Sequence, residues 1–173
     1  MIYVVRHGQT DIPLNETGCL QARNVSKDIA KFNIGKIYSS DLLRARKTAD
    51  IINEKIGAQI ILDKRLREVN YGNLEGVLRD TITQETWNIY NTNPEKLNAE
   101  SKLKVFTRIK NFLDDIKEDK ENILIVAHGG TLRMIMYYAN NNEFDNEKYE
   151  TYMDIKINNA DIFQFDRKTE FKK

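Results

Sequence analysis

Short apolar runs alternate along the chain with longer stretches in which apolar residues recur every three or four positions. The runs at 2–5 (IYVV), 36–40 (KIYSS), 59–63 (QIILD), 122–127 (NILIVA) and 160–165 (ADIFQF) read as strands. The run at 123–126 has no polar alternation, as a strand covered on both faces would have none. Four stretches carry the helical period: Ala22, Val25, Ile29 and Phe32 in 17–32; Ala45, Ala49, Ile52 and Ile56 in 41–56, with Asp41 placed to cap it; Phe106, Ile109, Leu113 and Ile116 in 102–116; and Leu132, Ile135, Met136 and Ala139 after a start near Thr131. Strands alternating with helices of this length predict an α/β fold with a mostly parallel sheet and helices on both faces. Residues 77–99 are polar and weakly periodic and hold the only tryptophan, Trp87. They read as an irregular helical excursion over one end of the sheet, a lid within a single domain spanning 1–173.

In a parallel α/β sheet ligands bind beyond the carboxyl ends of the strands, and the two histidines of the chain fall there. Each is followed by glycine, in Arg6-His7-Gly8 and Ala127-His128-Gly129. With 8 glycines in 173 residues, chance produces that coincidence about once in several hundred chains of this composition. A histidine leaving a strand end is a nucleophile, a base, a metal ligand or a satisfied core group. Arg6 beside the first offers a charged fork suited to phosphate or carboxylate, and Gly8 would let an anion approach the backbone. After the second, a helix N-terminus with free amides favours an anion.

Composition narrows the function. The 27 Lys and Arg residues balance 26 Asp and Glu to a formal charge of +1, so no global field recruits nucleic acid or an anionic membrane. One cysteine, Cys19, with two histidines makes a poor zinc kit, so no metal is expected. No run is long enough to span a membrane and the N-terminus lacks a signal-like basic region, so the fold is expected to begin near Met1 in a cytoplasmic protein. Two more segments carry candidate chemistry. Arg44 and Arg46 open a helix after a strand end, and Glu68 and Glu75 flank an aromatic–glycine step.

These pieces together resemble the histidine phosphatase superfamily, also called the phosphoglycerate mutase-like family. The motifs run in family order across nearly the whole chain: RHGQT at 6–10, LNETGxxQA at 14–22, SSDLxRAxxTA at 39–49, LRExxYGxLEG at 66–76, ESxxxVxxRIxxFL at 100–113, VAHGGxxR at 126–133, and NNA at 158–160. The resemblance implies that His7 accepts the phosphoryl group as a phosphohistidine. It implies further that Arg6, Arg44 and a protonated His128 clamp that group, that Glu68 is the general acid, and that no cofactor takes part. The phosphate- and substrate-binding set it implies is Arg6, Gly8, Thr10, Asn15, Arg44 and Gly129. Arg46 and Glu75 read as structural or surface residues, and Arg133 as a substrate-contact candidate. The chain departs from the family where an asparagine is expected six residues after the nucleophile: Pro13 stands there and the following loop is deleted, with Asn15 the candidate replacement.

A mutase must keep water from its phosphoenzyme. With a short first loop, a modest excursion at 77–99 and an early end after the last strand, water is expected to reach this one. The expected activity is metal-independent hydrolysis of a phosphomonoester of a small phosphorylated metabolite. The alternatives are a cofactor-dependent phosphoglycerate mutase, a phosphoprotein (phosphohistidine) phosphatase and a non-catalytic phosphate-binding protein. The sequence leaves the oligomeric state open.

Overall fold

A computed structural model describes residues 1–10, 14–141 and 143–166. The element order is β1 (Ile2–Arg6), α1 (Glu16–Ile29), β2 (Ile34–Ser39), α2 (Leu43–Ile56), β3 (Gln59–Leu62), α3 (Gln84–Thr92), α4 (Lys102–Ile116), β4 (Asn122–Ala127), α5 (Gly129–Asn140), α6 (Asn146–Met153) and β5 (Ile162–Phe165), with short 3₁₀ turns between. The strands form one sheet in the order β3-β2-β4-β1-β5. All neighbours are parallel except β5, which runs antiparallel to β1.

The unbroken apolar runs follow from burial on both faces. In β1, Ile2 and Val4 join one core while Tyr3 and Val5 join the other. In β4, Ile123, Ile125 and Ala127 face the first core, and Leu124 and Val126 the second. Helices α4 and α5 close the first face with Ile109, Phe112, Leu113, Leu132 and Ile135. Helices α1 and α2 close the second with Val25, Ile29, Ala45, Ala49 and Ile52. Period-2 alternation is present in the side-chain directions, yet both sets must be apolar, so it is absent from the polarity pattern.

Register then sets the functional geometry. Arg6 lies opposite Ala127 across the β1–β4 ladder, so His7 and His128 leave neighbouring parallel strands side by side. Ser39 lies opposite Val126, and the Ser40 amide donates to the Val126 carbonyl at 3.0 Å. The ends of β1, β2 and β4 therefore converge on one point, the crevice expected at the carboxyl edge of such a sheet.

Two local expectations are corrected. Asp41 does not cap α2: the N-cap is Leu42, without a side-chain bond, and the Asp41 carboxylate instead receives Arg67 Nε and Nη2 at 2.7 and 2.6 Å. A fork-to-fork pair with a guanidinium outcompetes a single amide. Helix α5 begins at Gly129, with His128 itself as N-cap, two residues before the expected start. The 77–99 excursion is helical and irregular as expected, built from α3 between two 3₁₀ turns, Arg79–Thr81 and Pro94–Leu97.

Candidate active site

His7 is 5 % exposed and His128 fully buried, with ring centroids 5.0 Å apart and a tilt of 60°. The His7 Nδ1–H donates to the Gly8 carbonyl at 2.7 Å, which leaves the Nε2 lone pair free of the proton. Burial pushes the His7 pKa down to about 4; the guanidiniums of Arg44 and Arg6 add to this and the Gly8 bond opposes it. The main chain around it is fixed from two sides. His7 N–H donates to Ala127 O at 3.0 Å, and Asn159 Nδ2 donates to His7 O at 2.9 Å.

His128 departs from expectation. Arg44 Nε donates to its Nδ1 at 3.2 Å, so that nitrogen is an acceptor, and its Nε2–H donates to Ser40 Oγ at 2.9 Å. Burial, then Arg44 and the neighbouring His7, push its pKa down to about 2, so the ring is neutral rather than protonated. A buried imidazole among guanidiniums gains nothing by carrying a further positive charge.

The guanidinium of Arg6 donates through Nη1 to Ile157 O at 2.5 Å, while its Nε is buried with no hydrogen-bond partner. An orphaned buried donor is costly in a folded protein, and here it belongs to a charged group. Burial lowers the Arg6 pKa, and Glu68, Arg133, Asp161 and Arg44 are the charges that act on it. The NNA segment holds this strand end: Ala160 N–H donates to Arg6 O at 3.0 Å, from a left-handed conformation at φ 63°. A non-glycine residue is strained there, and strain of this kind gathers beside functional sites.

Glu68 sits on the first turn of α5. Its Oε1 accepts from the amides of Val69, Gly130 and Thr131 at 2.9, 3.1 and 3.3 Å. The helix amides expected to meet a bound anion are thus held by this carboxylate, itself an anion suited to a helix N-terminus. Burial raises the Glu68 pKa above the usual range, against the lowering effect of those amides, Arg44 and Arg6. A Cβ on Gly130 would lie 2.7 Å from Oε1, so the close seat of Glu68 requires glycine there.

Among the remaining residues of the expected set, Gly8 has a different reason to be glycine. A Cβ there would meet the Gly18 carbonyl oxygen at 2.5 Å, and its amide donates to Thr48 Oγ1 at 3.1 Å. Close packing of the His7 loop on α1, rather than approach of an anion, is what the position demands. Asn15 is the N-cap of α1, its Oδ1 accepting from Gly18 N at 2.9 Å. Thr10 forms an isolated bridge with Leu14. Gly129 faces Arg133 Nη1 and Arg6 Nε at 3.5 and 3.7 Å from the site of an added Cβ. Pro13 lies outside the described residues. Arg46 is exposed and Glu75 accepts from Tyr71 N at 2.8 Å, consistent with surface and structural readings. Arg133, whose Nε donates to Ile155 O at 3.1 Å, stands beside Arg6. Within the 77–99 excursion, Trp87 and Tyr90 line a groove, while Lys96 is exposed on a 3₁₀ turn.

Four residues of the site were given no role by sequence reasoning. Ser40 holds His128, Thr48 Oγ1 accepts from the Gly8 amide and donates to Arg44 O at 2.9 Å, and Asn159 holds His7. Arg108, paired with Glu100 at 2.8 Å, reaches the carbonyls of Arg65 and Glu68 and anchors the loop that carries Glu68. Their motifs were visible, but their partners are mostly backbone atoms that only folding brings near. Among the described residues, no cluster of three or more His, Cys, Asp or Glu is placed to hold a metal ion, and no helix is long and apolar enough to cross a membrane.

Comparison with known proteins places the chain in a family and a fold. The family model described as the histidine phosphatase superfamily (branch 1) matches residues 2–170. The protein named "Putative phosphoserine phosphatase 2" from Hydrogenobacter thermophilus is 34 % identical over 78 % of this chain and 76 % of its own length. Phosphoglycerate mutase-like protein 4 of Arabidopsis thaliana is 31 % identical, covering 97 % of this chain and 82 % of its own. The native structure of mycobacterial glucosyl-3-phosphoglycerate phosphatase shares the fold at a TM-score of 0.78 and 24 % identity, over 93 % of this chain and 87 % of that one.

Proposed function

The chain belongs to the histidine phosphatase superfamily, branch 1, and is an enzyme of that phosphatase type; from this premise we propose that it hydrolyses the phosphomonoester of a small metabolite through a phosphohistidine on His7. One observation carries the reading. His7 is neutral, its proton is committed at Nδ1 to Gly8, which leaves Nε2 unprotonated, and its ring neighbours Arg6, Arg44 and His128. Such an imidazole attacks without first losing a proton.

In the first step Nε2 forms a bond to phosphorus as the ester P–O bond breaks. Glu68, whose hold on a proton is strengthened by burial, gives its proton to the departing oxygen, so the alcohol leaves neutral. The three equatorial oxygens carry the charge of the transition state, and the orphaned Nε–H of Arg6 with the fork of Arg44 supplies fixed donors to them. An arriving dianion offsets the positive charge of Arg44 and Arg6 that adds to burial in keeping His128 neutral, and a proton then enters at Nδ1 only as the Arg44 Nε bond opens. In the second step the Glu68 carboxylate takes a proton from water, the oxygen attacks phosphorus, and the N–P bond breaks to release phosphate. The excursion at 77–99 acts as a lid over this site within the single domain.

The test is phosphate release from a panel of phosphorylated metabolites, with and without a chelator, for wild type and His7→Ala. Chelator-resistant release that falls at least about 10³-fold in the variant is expected. Release equal in the two proteins, or interconversion of 3- and 2-phosphoglycerate outpacing hydrolysis, contradicts the reading.

A further inference from the structure

A groove of about 260 Å³ lies under the lid, walled by Tyr71, Leu74, Ile82, Trp87, Tyr90 and Met153. Its rings brace one another: Tyr90, only 7 % exposed, stands 5.8 Å from both Tyr71 and Trp87, edge-on to the latter. Two of its walls are continuous with the catalytic cage. Tyr71 Oη is 3.5 Å from the point where a Cβ on Gly130 would lie, and Glu68 Oε1 is 2.7 Å from the same point. On the other side Met153 ends α6, and the segment after it delivers the Ile155 carbonyl to Arg133 and the Ile157 carbonyl to Arg6. The groove is thus bounded by the segment that carries the acid and by the segment that holds the guanidiniums.

Its charge is one-sided. Among the described residues no lining side chain is cationic, and Glu75 is an exposed acid at its edge. Val77, which lines it, and the adjoining Leu78 remain 44 % and 75 % exposed. Resting on the phosphatase reading above, we propose that this groove receives the alcohol part of the phosphomonoester, and that this part is apolar and of about the size of one ring. A carboxylate on that alcohol would lie among apolar and aromatic walls with Glu75 at the edge. Flat apolar groups gain both burial and ring contacts against Tyr71, Trp87 and Tyr90.

The experiment compares 2-phenylethyl phosphate with glycerol 3-phosphate and phosphoserine, all esters of alkyl alcohols, so that leaving-group chemistry differs little. Wild type is expected to favour the phenylethyl ester by about 30-fold in kcat/KM, on the scale by which apolar pockets discriminate. Trp87→Ala is expected to cut that preference about tenfold, mainly through KM, and Trp87→Phe to restore most of it. Because Trp87 is the only tryptophan, its emission in the wild type should also shift on binding 3-phenylpropylphosphonate, which cannot be hydrolysed. Equal efficiency toward the three esters, or a preference unchanged in Trp87→Ala, overturns the groove assignment and leaves the phosphatase standing. Hydrolysis of none of them or of any other phosphomonoester overturns both.

Discussion

At the scale of single residues, the site is a set of groups whose protonation states are opposed by their surroundings. His7 and Glu68 both neighbour Arg6 and Arg44, yet burial drives the imidazole toward neutral and the carboxyl toward protonated, the two states the proposed first step needs. The sign of the pH dependence follows. Below about 4, His7 takes a proton and loses its lone pair; as pH rises through the elevated Glu68 value, the acid loses its proton. The profile of kcat/KM, corrected for substrate ionisation near pH 6, should therefore keep its acid limb well below the ordinary histidine value, with an alkaline limb set by Glu68. Glu68→Gln should remove the alkaline limb and cost about 10²–10⁴-fold in rate. An acid limb near 6.5, or an alkaline limb that survives the substitution, contradicts these roles. That His7, Arg6, Arg44, Glu68 and His128 would gather at the strand ends was legible in the sequence because their motifs are contiguous. The state of His128 was not, since it depends on Arg44 and Ser40 arriving from another strand end.

At the scale of elements, the start of α5 is where sequence, packing and function meet. Its amides hold Glu68, and Gly130 leaves the room for that contact. Gly130→Ala would place a methyl 2.7 Å from Oε1 and 2.9 Å from Val69 Cγ2. Displacing these side chains costs about 1–3 kcal/mol, partly offset by about 1 kcal/mol of helix propensity. A modest fall in Tm with a tenfold or greater loss in kcat is the expected outcome, measured by thermal unfolding and steady-state rates. Gly129→Ala, which meets nothing closer than 3.5 Å, should leave Tm nearly unchanged; equal loss of kcat and Tm in wild-type-like proportion for both variants would contradict the seat of Glu68. Most strands and long helices were legible from period alone. Helix α6 was not, because it is short and polar and buries only Tyr149, which leaves no apolar stripe to read. The Asp41 cap failed for a related reason: Arg67, 26 residues away, competes for the same carboxylate.

At the scale of the whole molecule, one topological fact builds the site: β1 and β4 are parallel neighbours in register, so two histidines 121 positions apart leave the sheet together. Alternation of strands and helices announced a parallel sheet, but neither the order β3-β2-β4-β1-β5 nor the reversal of β5 is written in a local pattern. Those choices are made by which apolar faces the helices cover, α1 and α2 on one side and α4 and α5 on the other. The central claim is that this convergence makes His7 the phosphoryl acceptor. It is tested most directly by rapid quenching of the enzyme in turnover, followed by mapping of the bound phosphoryl group by mass spectrometry under alkaline conditions. One acid-labile, alkali-stable phosphoryl group on the peptide carrying His7, absent in His7→Ala, is the predicted result. A phosphoryl group on a hydroxyl or carboxyl side chain, or turnover with no phosphoenzyme at all, would contradict it.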